Sequence, residues 1–306
     1  MFSLERFEGS LLGLAIGDAL GMPVEFKPKD SFPPVTGFLP GGKFQLPAGH
    51  WTDDTALALC ISYSLIKLRT LNLTDILRRF QSWYETGENS STGKAVGVGQ
   101  QTLQALSYFS VTGNPPQLSV KPALGNGSLM RLAPVVLAYA SKPDLLEEAC
   151  AQSSLCTHPD EACLEGCVLF GKLIHLALLG YSKADIFTWL FKHINDLQFS
   201  DLTQCLRKLE KPLPRSVINA RGYFPQSLQA ALWAFQTTDS FAEGALLAVN
   251  LGEDADTVGA IYGQLAGAYY SIREIPSEWI ENLAKSAEIR TVANQLYEVA
   301  TEKISE

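Results

Sequence analysis

Several features that would mark common classes of protein are missing from this sequence. Acidic residues outnumber basic ones by 32 to 24, and the resulting net charge of -8 argues against a nucleic-acid-binding role. No apolar run reaches the roughly 18 residues of a membrane span, and the mixed charge of the first residues does not fit a signal peptide. The six cysteines form no disulfide-rich pattern. We therefore expect a cytoplasmic protein with reduced thiols, no membrane association and no nucleic acid partner.

Strand signals are also nearly absent, while apolar residues recur at helical spacing. The length of 306 residues and the hydrophobic content of 46% suit a sizeable core. Because no linker-like segment divides the chain, we predict one all-α domain over residues 1–306, present as a monomer. Helices are predicted at Ser3–Leu20, after Thr52, at Asn72–Thr86, Thr102–Phe109, from Leu129, at Glu161–Leu179, Lys183–Phe191, Leu197–Leu209, Pro225–Gln236, Ser240–Asn250, after Asp256, and at Ser277–Ile304 as a peripheral tail.

Two of these helices carry glycine at every fourth position. The first has Gly9, Gly13, Gly17 and Gly21, and the second has Gly259, Gly263 and Gly267. Each glycine inside a helix costs about 1 kcal/mol relative to alanine. Close approach of another backbone is the usual reason for such a repeated cost. The pattern therefore predicts that the two helices cross at short distance.

Acidic residues and threonines cluster at the starts of two apolar helices, in Thr52-Asp53-Asp54-Thr55 and in Asp254-Ala255-Asp256-Thr257. Such residues cap helices, but neighbouring carboxylates repel each other unless a cation lies between them. Oxygen ligands without Cys or His favour Mg²⁺, Mn²⁺ or Ca²⁺. We predict one shared site for two Mg²⁺ or Mn²⁺ ions with a bridging carboxylate. Its ligands would be Thr52, Asp53, Asp54, Asp254, Asp256 and Thr257.

Other residues are candidates for substrate contact. Glu25, in a turn after the first helix, could act as an acid or base. Glycines precede predicted helices in the Gly93, Gly97 and Gly99 loop and in Gly125-Asn126-Gly127-Ser128, an arrangement that suits anion binding. The second loop leads into Leu129, Met130 and Arg131, which we place on the first turn of a helix.

His158 is best interpreted as a ligand contact at a helix start, although a capping or packing role is almost as plausible. A zinc site with Cys156, His158, Cys163 and Cys167 is disfavoured, since Cys163 and Cys167 lie four residues apart on an apolar helix face.

Taken together, these motifs resemble the ADP-ribosylglycohydrolases, which include the dinitrogenase-reductase-activating glycohydrolases and the mammalian ADP-ribosyl-acceptor hydrolases. The resemblance rests on Gly17-Asp18-Ala19-Leu20-Gly21 with Pro23 and Glu25, on the two acid clusters, on Gly97-Val98-Gly99 and Gly125–Arg131, and on His158. It spans about residues 8–279 with the motifs in the family's order.

The resemblance implies a compact all-α fold with a binuclear Mg²⁺ or Mn²⁺ centre, and an enzyme that cleaves a glycosidic bond to ADP-ribose on a protein side chain or in O-acetyl-ADP-ribose. It further implies catalytic roles for Glu25, Asp53, Asp54 and Asp256. The loop residues Gly97, Gly99, Gly125, Asn126, Gly127, Ser128, Met130 and Arg131, together with His158, would then bind the substrate.

Two departures from the family pattern bear on specificity. Arginine-specific members have Asp where Gly97 stands here, so the loop is closer to that of the mammalian enzyme acting on serine-linked and O-acetyl-ADP-ribose. Glu253 replaces the second glycine of a common Gly-Gly-Asp start and would add charge near the metals.

Other functions fit the sequence less well. A prenyl-diphosphate synthase or terpene cyclase needs another Asp one turn after the pair, where Leu57 and Ala58 stand. A non-catalytic ADP-ribose-binding or crystallin-like relative remains an alternative. The acceptor-facing loops, expected at residues 27–50 and 211–224, show no decodable pattern.

Overall fold

The computed structural model describes residues 2–117 and 123–302, and within them the fold is built from fourteen α-helices. The helices are α1 Leu4–Gly21, α2 Asp53–Leu68, α3 Leu73–Thr86, α4 Gln100–Thr112, α5 Ala133–Ala138, α6 Pro143–Ser154, α7 Glu161–Leu178, α8 Lys183–His193, α9 Ser200–Arg207, α10 Phe224–Thr237, α11 Phe241–Val249, α12 Ala255–Tyr270, α13 Ser277–Asn282 and α14 Ser286–Thr301.

β-pairing over these residues is limited to two isolated bridges, Gly41 with Leu46 and Gly125 with Tyr223. The predicted all-α fold is confirmed. None of the helices in the described ranges is long and apolar enough to cross a membrane.

Helices α1 and α12 form the centre of the fold, and they cross in antiparallel orientation through their glycines. Gly9 faces Gly267, Gly13 faces Gly263, and Gly17 faces Gly259. A methyl group on any of these would lie less than 3 Å from a backbone carbonyl of the other helix. The predicted close crossing is confirmed. It brings the end of α1 beside the start of α12, because Gly21 lies against Ala255 and Asp256.

The C-terminal segment differs from the single peripheral helix predicted for Ser277–Ile304. It forms α13 and α14, separated at Leu283–Lys285, where Lys285 takes a positive φ of 57° that no helix interior accommodates. Residues 303–304 of the predicted helix lie outside the described residues. The tail is also not peripheral, because α14 packs against α1, α2 and α5 and buries its apolar face, including Ile289, Val292 and Leu296.

The segment after Gly125-Asn126-Gly127-Ser128 was predicted to become helical at Leu129, and this was wrong. Residues 127–131 form turns, and α5 begins only at Ala133 with Pro134 in its first turn. Arg131 therefore lies before a six-residue helix and not on its first turn. Proline favours the start of a helix and disrupts its interior, which explains the late beginning.

The buried cysteines belong to the apolar core and do not assemble into a metal site. Cys150, Cys156, Cys163 and Cys167 are all fully buried and free. Over residues 2–117 and 123–302, the groups of side chains spaced to hold a metal ion contain only carboxylates.

Candidate metal centre and substrate pocket

The start of α2 is capped by a residue from another helix. Asp18 of α1 accepts hydrogen bonds from the backbone N–H and the hydroxyl of Thr52, at 2.9 Å each, and from the N–H and hydroxyl of Thr55, at 3.0 and 2.7 Å. No side chain of α2 caps its own N-terminus. Capping by the local Thr and Asp, one of the two sequence interpretations, is therefore wrong for α2. Because Asp18 takes the N–H groups of Thr52 and Thr55, the carboxylates of Asp53 and Asp54 are not needed for this cap and remain available for other partners.

The two acid clusters, two hundred residues apart in sequence, meet at this helix start. Two groups of carboxylates each have oxygen atoms within 4.8 Å of one another: Asp18, Asp54 and Asp256 in one, and Glu25, Asp254 and Asp256 in the other. Asp256 belongs to both groups, in the position expected of a bridging ligand. The Thr52 hydroxyl oxygen lies 3.2 Å from Asp54 Oδ2 and 3.5 Å from Asp256 Oδ2.

The buried acids of this cluster need a cation to balance their charge. Burial and the neighbouring acids raise the pKa of Asp53, Asp54 and Asp256 well above the ordinary aspartate value. Burial also raises the pKa of Glu25 to about 8, and the charge of Asp254 adds to this effect. In the described parts of the chain, no lysine or arginine forms an ion pair with any of these acids.

Two buried oxygen atoms of the cluster, Glu25 Oε2 and Asp54 Oδ1, have no hydrogen-bond partner among the described residues. Orphaned buried carboxylate oxygens are costly unless an ion or water binds them. The donors are all oxygens, as Mg²⁺ and Mn²⁺ prefer. The residues therefore fit a divalent cation site.

A pocket of about 250 Å³ opens over the cluster. Its lining includes most of the residues predicted to form the site: Glu25, Asp53, Gly97, Gly99, Gly125, Asn126, Gly127, Met130, His158, Asp254, Asp256 and Thr257. Thr52 and Asp54 lie below its surface and are buried. Of the two stretches expected to face the acceptor, residues 27–50 and 211–224, only Gly222 contributes to the lining.

Close packing explains several of the glycines around the pocket. Gly97 has a positive φ of 83°, and a methyl group there would collide with Asp53 Oδ1. Methyl groups on Gly125 and Gly127 would lie within about 3 Å of the imidazole ring of His158. The Gly125 loop is in turn tied to the acid cluster, because Asn126 Nδ2 donates to Asp254 Oδ2 at 2.6 Å.

Ser128 and Arg131, which were predicted to bind the substrate, do not line the pocket and are almost completely buried. Arg131 donates to the Thr157 hydroxyl at 2.6 Å and lies over the Phe80 ring at 4.8 Å. His158 is also buried but does reach the pocket. Arg131 therefore lies behind the pocket wall and not on its surface.

Glu253, the second departure from the family pattern, is placed away from the pocket. Its φ of 56° lies in the left-handed region, which explains why glycine suits this position. Its side chain approaches Arg221, with 3.7 Å between Glu253 Oε2 and Arg221 Nε, and is absent from the pocket lining. The charge of Glu253 is thus partly offset by an arginine.

Asp18 was not predicted as a member of the site, although it lies inside the Gly17–Gly21 motif. The available signal was a single acid in the otherwise apolar second half of α1, after Ser10. Phe26, Gln100 and Gln101, which also line the pocket, were missed as well, whereas Gly222 lies in the stretch 211–224 that was expected to face the acceptor. Nothing in the local sequence distinguishes these residues from ordinary loop or helix positions.

Comparison with known proteins adds independent evidence. The ADP-ribosylglycohydrolase family model matches residues 2–305. The chain is 34% identical to the ADP-ribosylarginine hydrolase Tri1 of Serratia proteamaculans over 98% of this chain and 81% of the relative. It is 37% identical to the protein of the same name from Pseudomonas putida, over 97% of this chain and 79% of the relative.

A solved structure described as an ADP-ribosylglycohydrolase-related protein complex superposes with a TM-score of 0.86 at 38% identity, covering 97% of this chain and 99% of that chain. Fold, motifs and sequence relatives thus agree, and the chain belongs to the ADP-ribosylglycohydrolase family of glycosidic-bond hydrolases.

Proposed function

We propose that this chain is a metal-dependent hydrolase that releases ADP-ribose from ADP-ribosylated arginine side chains. Membership of the family gives the reaction class, cleavage of a glycosidic bond to ADP-ribose. Metal dependence and the arginine acceptor go beyond this class. The observation that carries the proposal is the convergence of two acid clusters on Asp256 at the floor of the pocket.

The metal ligands we propose are Thr52, Asp53, Asp54, Asp254, Asp256 and Thr257, as the sequence predicts. Asp18 would act by orienting them, since both of its carboxylate oxygens already accept two hydrogen bonds each. Two bound Mg²⁺ or Mn²⁺ ions would supply Lewis acid chemistry, polarising substrate oxygens and a water molecule.

The remaining chemistry falls to side chains and backbone groups of the pocket wall. Glu25 is the candidate acid or base, because this residue lines the pocket and its raised pKa allows it to hold a proton near neutral pH. The glycine loops at Gly97–Gly99 and Gly125–Gly127 offer backbone that a diphosphate can approach without meeting a side chain. Neutral His158 would donate to a substrate oxygen.

The arginine acceptor is supported by the names of the two relatives compared above, at 34% and 37% identity. The presence of Gly97, which favours a serine or O-acetyl acceptor by family resemblance, has a separate explanation in this chain. Its positive φ and its contact with Asp53 leave no room for a side chain. Gly97 therefore carries less weight on acceptor choice than the relatives do.

A hydrolysis panel tests the proposal. Arginine-linked, serine-linked and O-acetyl-ADP-ribose are each incubated with the protein in Mg²⁺, Mn²⁺ or EDTA, and free ADP-ribose is measured by chromatography. We expect release from the arginine conjugate with either metal and none in EDTA. Release from only the serine or acetyl substrates would overturn the arginine assignment, and release unaffected by EDTA or by Asp256→Asn would overturn the metal assignment. Binding of ADP-ribose without any release would favour the non-catalytic alternative.

A further inference from the structure

A buried chain of hydrogen bonds leads from Arg131 to the pocket. Arg131 Nη2 donates to Thr157 Oγ1 at 2.6 Å, and Thr157 Oγ1 lies 2.6 Å from His158 Nδ1. All three residues are almost completely buried. The predicted function gave a role to His158 but left Thr157 without one, and Arg131 was assigned to a direct contact that its burial prevents.

The direction of these bonds follows from what each group can donate. A guanidinium donates and never accepts, so Thr157 Oγ1 must be the acceptor of the first bond. The hydroxyl has one proton, and among the described residues its only other hydrogen-bond partner is His158 Nδ1. Directing the proton to Nδ1 satisfies the hydroxyl, whereas a proton on Nδ1 would leave the hydroxyl proton buried without an acceptor. Nδ1 therefore accepts, and the ring proton is on Nε2.

The other side of the imidazole ring faces the pocket. Nε2 and Cε1 lie against Gly125 and Gly127, which share the pocket lining with His158. Nε2 has no hydrogen-bond partner in residues 2–117 and 123–302. The backbone of His158 is held in place as well, since its N–H donates to the Ser154 carbonyl at 2.7 Å and its own carbonyl accepts from the Ser154 hydroxyl at 2.8 Å.

We propose that Arg131 and Thr157 are positioning residues that hold His158 in the Nε2–H tautomer, so that its ring offers one neutral N–H donor to a phosphate or ribose oxygen of ADP-ribose. The nature of the bound oxygen rests on the proposed function, but the tautomer does not. Burial, and then the charge of Arg131, lower the pKa of His158 to about 3, so the ring stays neutral at working pH. His158 binds and orients the substrate and does not exchange protons with it.

The tautomer can be read directly without substrate. The chain has four histidines, so the ¹⁵N–¹H long-range spectrum of protein labelled at histidine is simple, and His158 is assigned by the signals lost in His158→Gln. We expect a protonated Nε2 and an unprotonated Nδ1 at neutral pH. A protonated Nδ1 or a doubly protonated ring would overturn the proposal.

Variants of Thr157 test the link to the pocket. Thr157→Val removes the hydroxyl at nearly constant shape, and Thr157→Ser keeps it. We expect Thr157→Val to give mixed tautomers and roughly tenfold weaker ADP-ribose binding by calorimetry in Mg²⁺, the size of one lost hydrogen bond. Thr157→Ser should restore both readouts. Thr291→Val, which removes an exposed hydroxyl of α14 that donates to the Ala287 carbonyl, is the remote control.

A double variant separates positioning from general destabilisation. If Thr157 acts through His158, then Thr157→Val should weaken binding little further once His158→Gln is present. Additive losses in the double variant, or equal binding by Thr157→Val and Thr157→Ser, would refute the positioning role. A correct tautomer in a protein that hydrolyses none of the conjugates would refute the proposed function and leave the tautomer assignment standing.

Discussion

The crossing of α1 and α12 leads to a prediction about Gly263, which lies in the middle of the contact. In Gly263→Ala the new methyl group would lie less than 3 Å from the Gly13 carbonyl and the Leu14 nitrogen. These obstructing atoms are backbone, so no side-chain rotation relieves the collision. The helices would have to separate by about 1.5 Å to restore ordinary contact distances.

The expected cost follows from two opposing effects. Forcing extra volume into a packed core costs about 1–3 kcal/mol or more, while alanine is favoured over glycine inside a helix by about 1 kcal/mol. Because α1 and α12 are buried along nearly their whole length, their separation would also disturb the neighbouring helices. We expect a net loss of about 2 kcal/mol in the free energy of unfolding, since the packing cost is the larger effect.

Urea denaturation of the wild type and Gly263→Ala measures this loss. Gly37→Ala is the control, because its methyl group would meet only Trp279 Nε1 at 3.9 Å, and we expect it to change stability by less than about 0.5 kcal/mol. Gly13→Ala combined with Gly263→Ala should cost less than the sum of the two, since one separation of the helices relieves both collisions. If Gly263→Ala were as stable as the wild type, the close crossing described above would be refuted.

Three further predictions concern the site. Gly97→Ala and Gly93→Ala impose similar backbone strain, with φ of 83° and 79°, but of the two only Gly97 lies against another group, Asp53. Both variants should lose about 1 kcal/mol of stability, and only Gly97→Ala should lose hydrolysis. Equal activity of the two variants would contradict the contact with Asp53. Asp18→Asn should cost about 2 kcal/mol in urea denaturation, because one amide oxygen cannot replace both carboxylate oxygens as acceptors. It should also raise the Mg²⁺ concentration needed for half-maximal activity. An unchanged Mg²⁺ requirement would argue against orientation of the ligands by Asp18. With metal chelated, the pKa of Glu25 is about 8, against an ordinary 4.5, so the folded chain keeps a proton that the unfolded chain releases. The melting temperature should therefore fall as pH rises from 4.5 to 8, and Mg²⁺ should offset the fall. A rise in melting temperature over this range would contradict the prediction.

Much of the architecture was predictable from the sequence because its signals are local. The helix starts predicted at Asn72 and Glu161 are examples: in the structure the Asn72 side chain accepts from the Asp75 N–H at 2.9 Å, and Asp160 caps α7. The glycine stripes predicted a contact across 250 residues, since glycine at every fourth position needs a reason that lies outside its own helix.

Other features depended on tertiary contacts that local patterns do not encode. Asp18 caps α2 from a distant helix, and so the local Thr and Asp were wrongly given that role in one interpretation. Arg131 occupies a sequence position typical of an anion ligand, but its side chain is directed into the core by Phe80 and Thr157. The division of the C-terminal helix at Lys285 is equally a matter of packing, because Trp51 Nε1 donates to the Ala284 carbonyl there at 2.9 Å.

Binding of Mn²⁺ tests the central claim most directly. Crystals of the wild type grown with Mn²⁺, and crystals of Asp256→Asn grown in the same way, are compared by anomalous scattering from manganese. Our account predicts two manganese ions in the wild type, both beside Asp256 and between the acid clusters of α2 and α12, with loss of at least one in the variant. Manganese absent from this position in the wild type, or unchanged in Asp256→Asn, would contradict it.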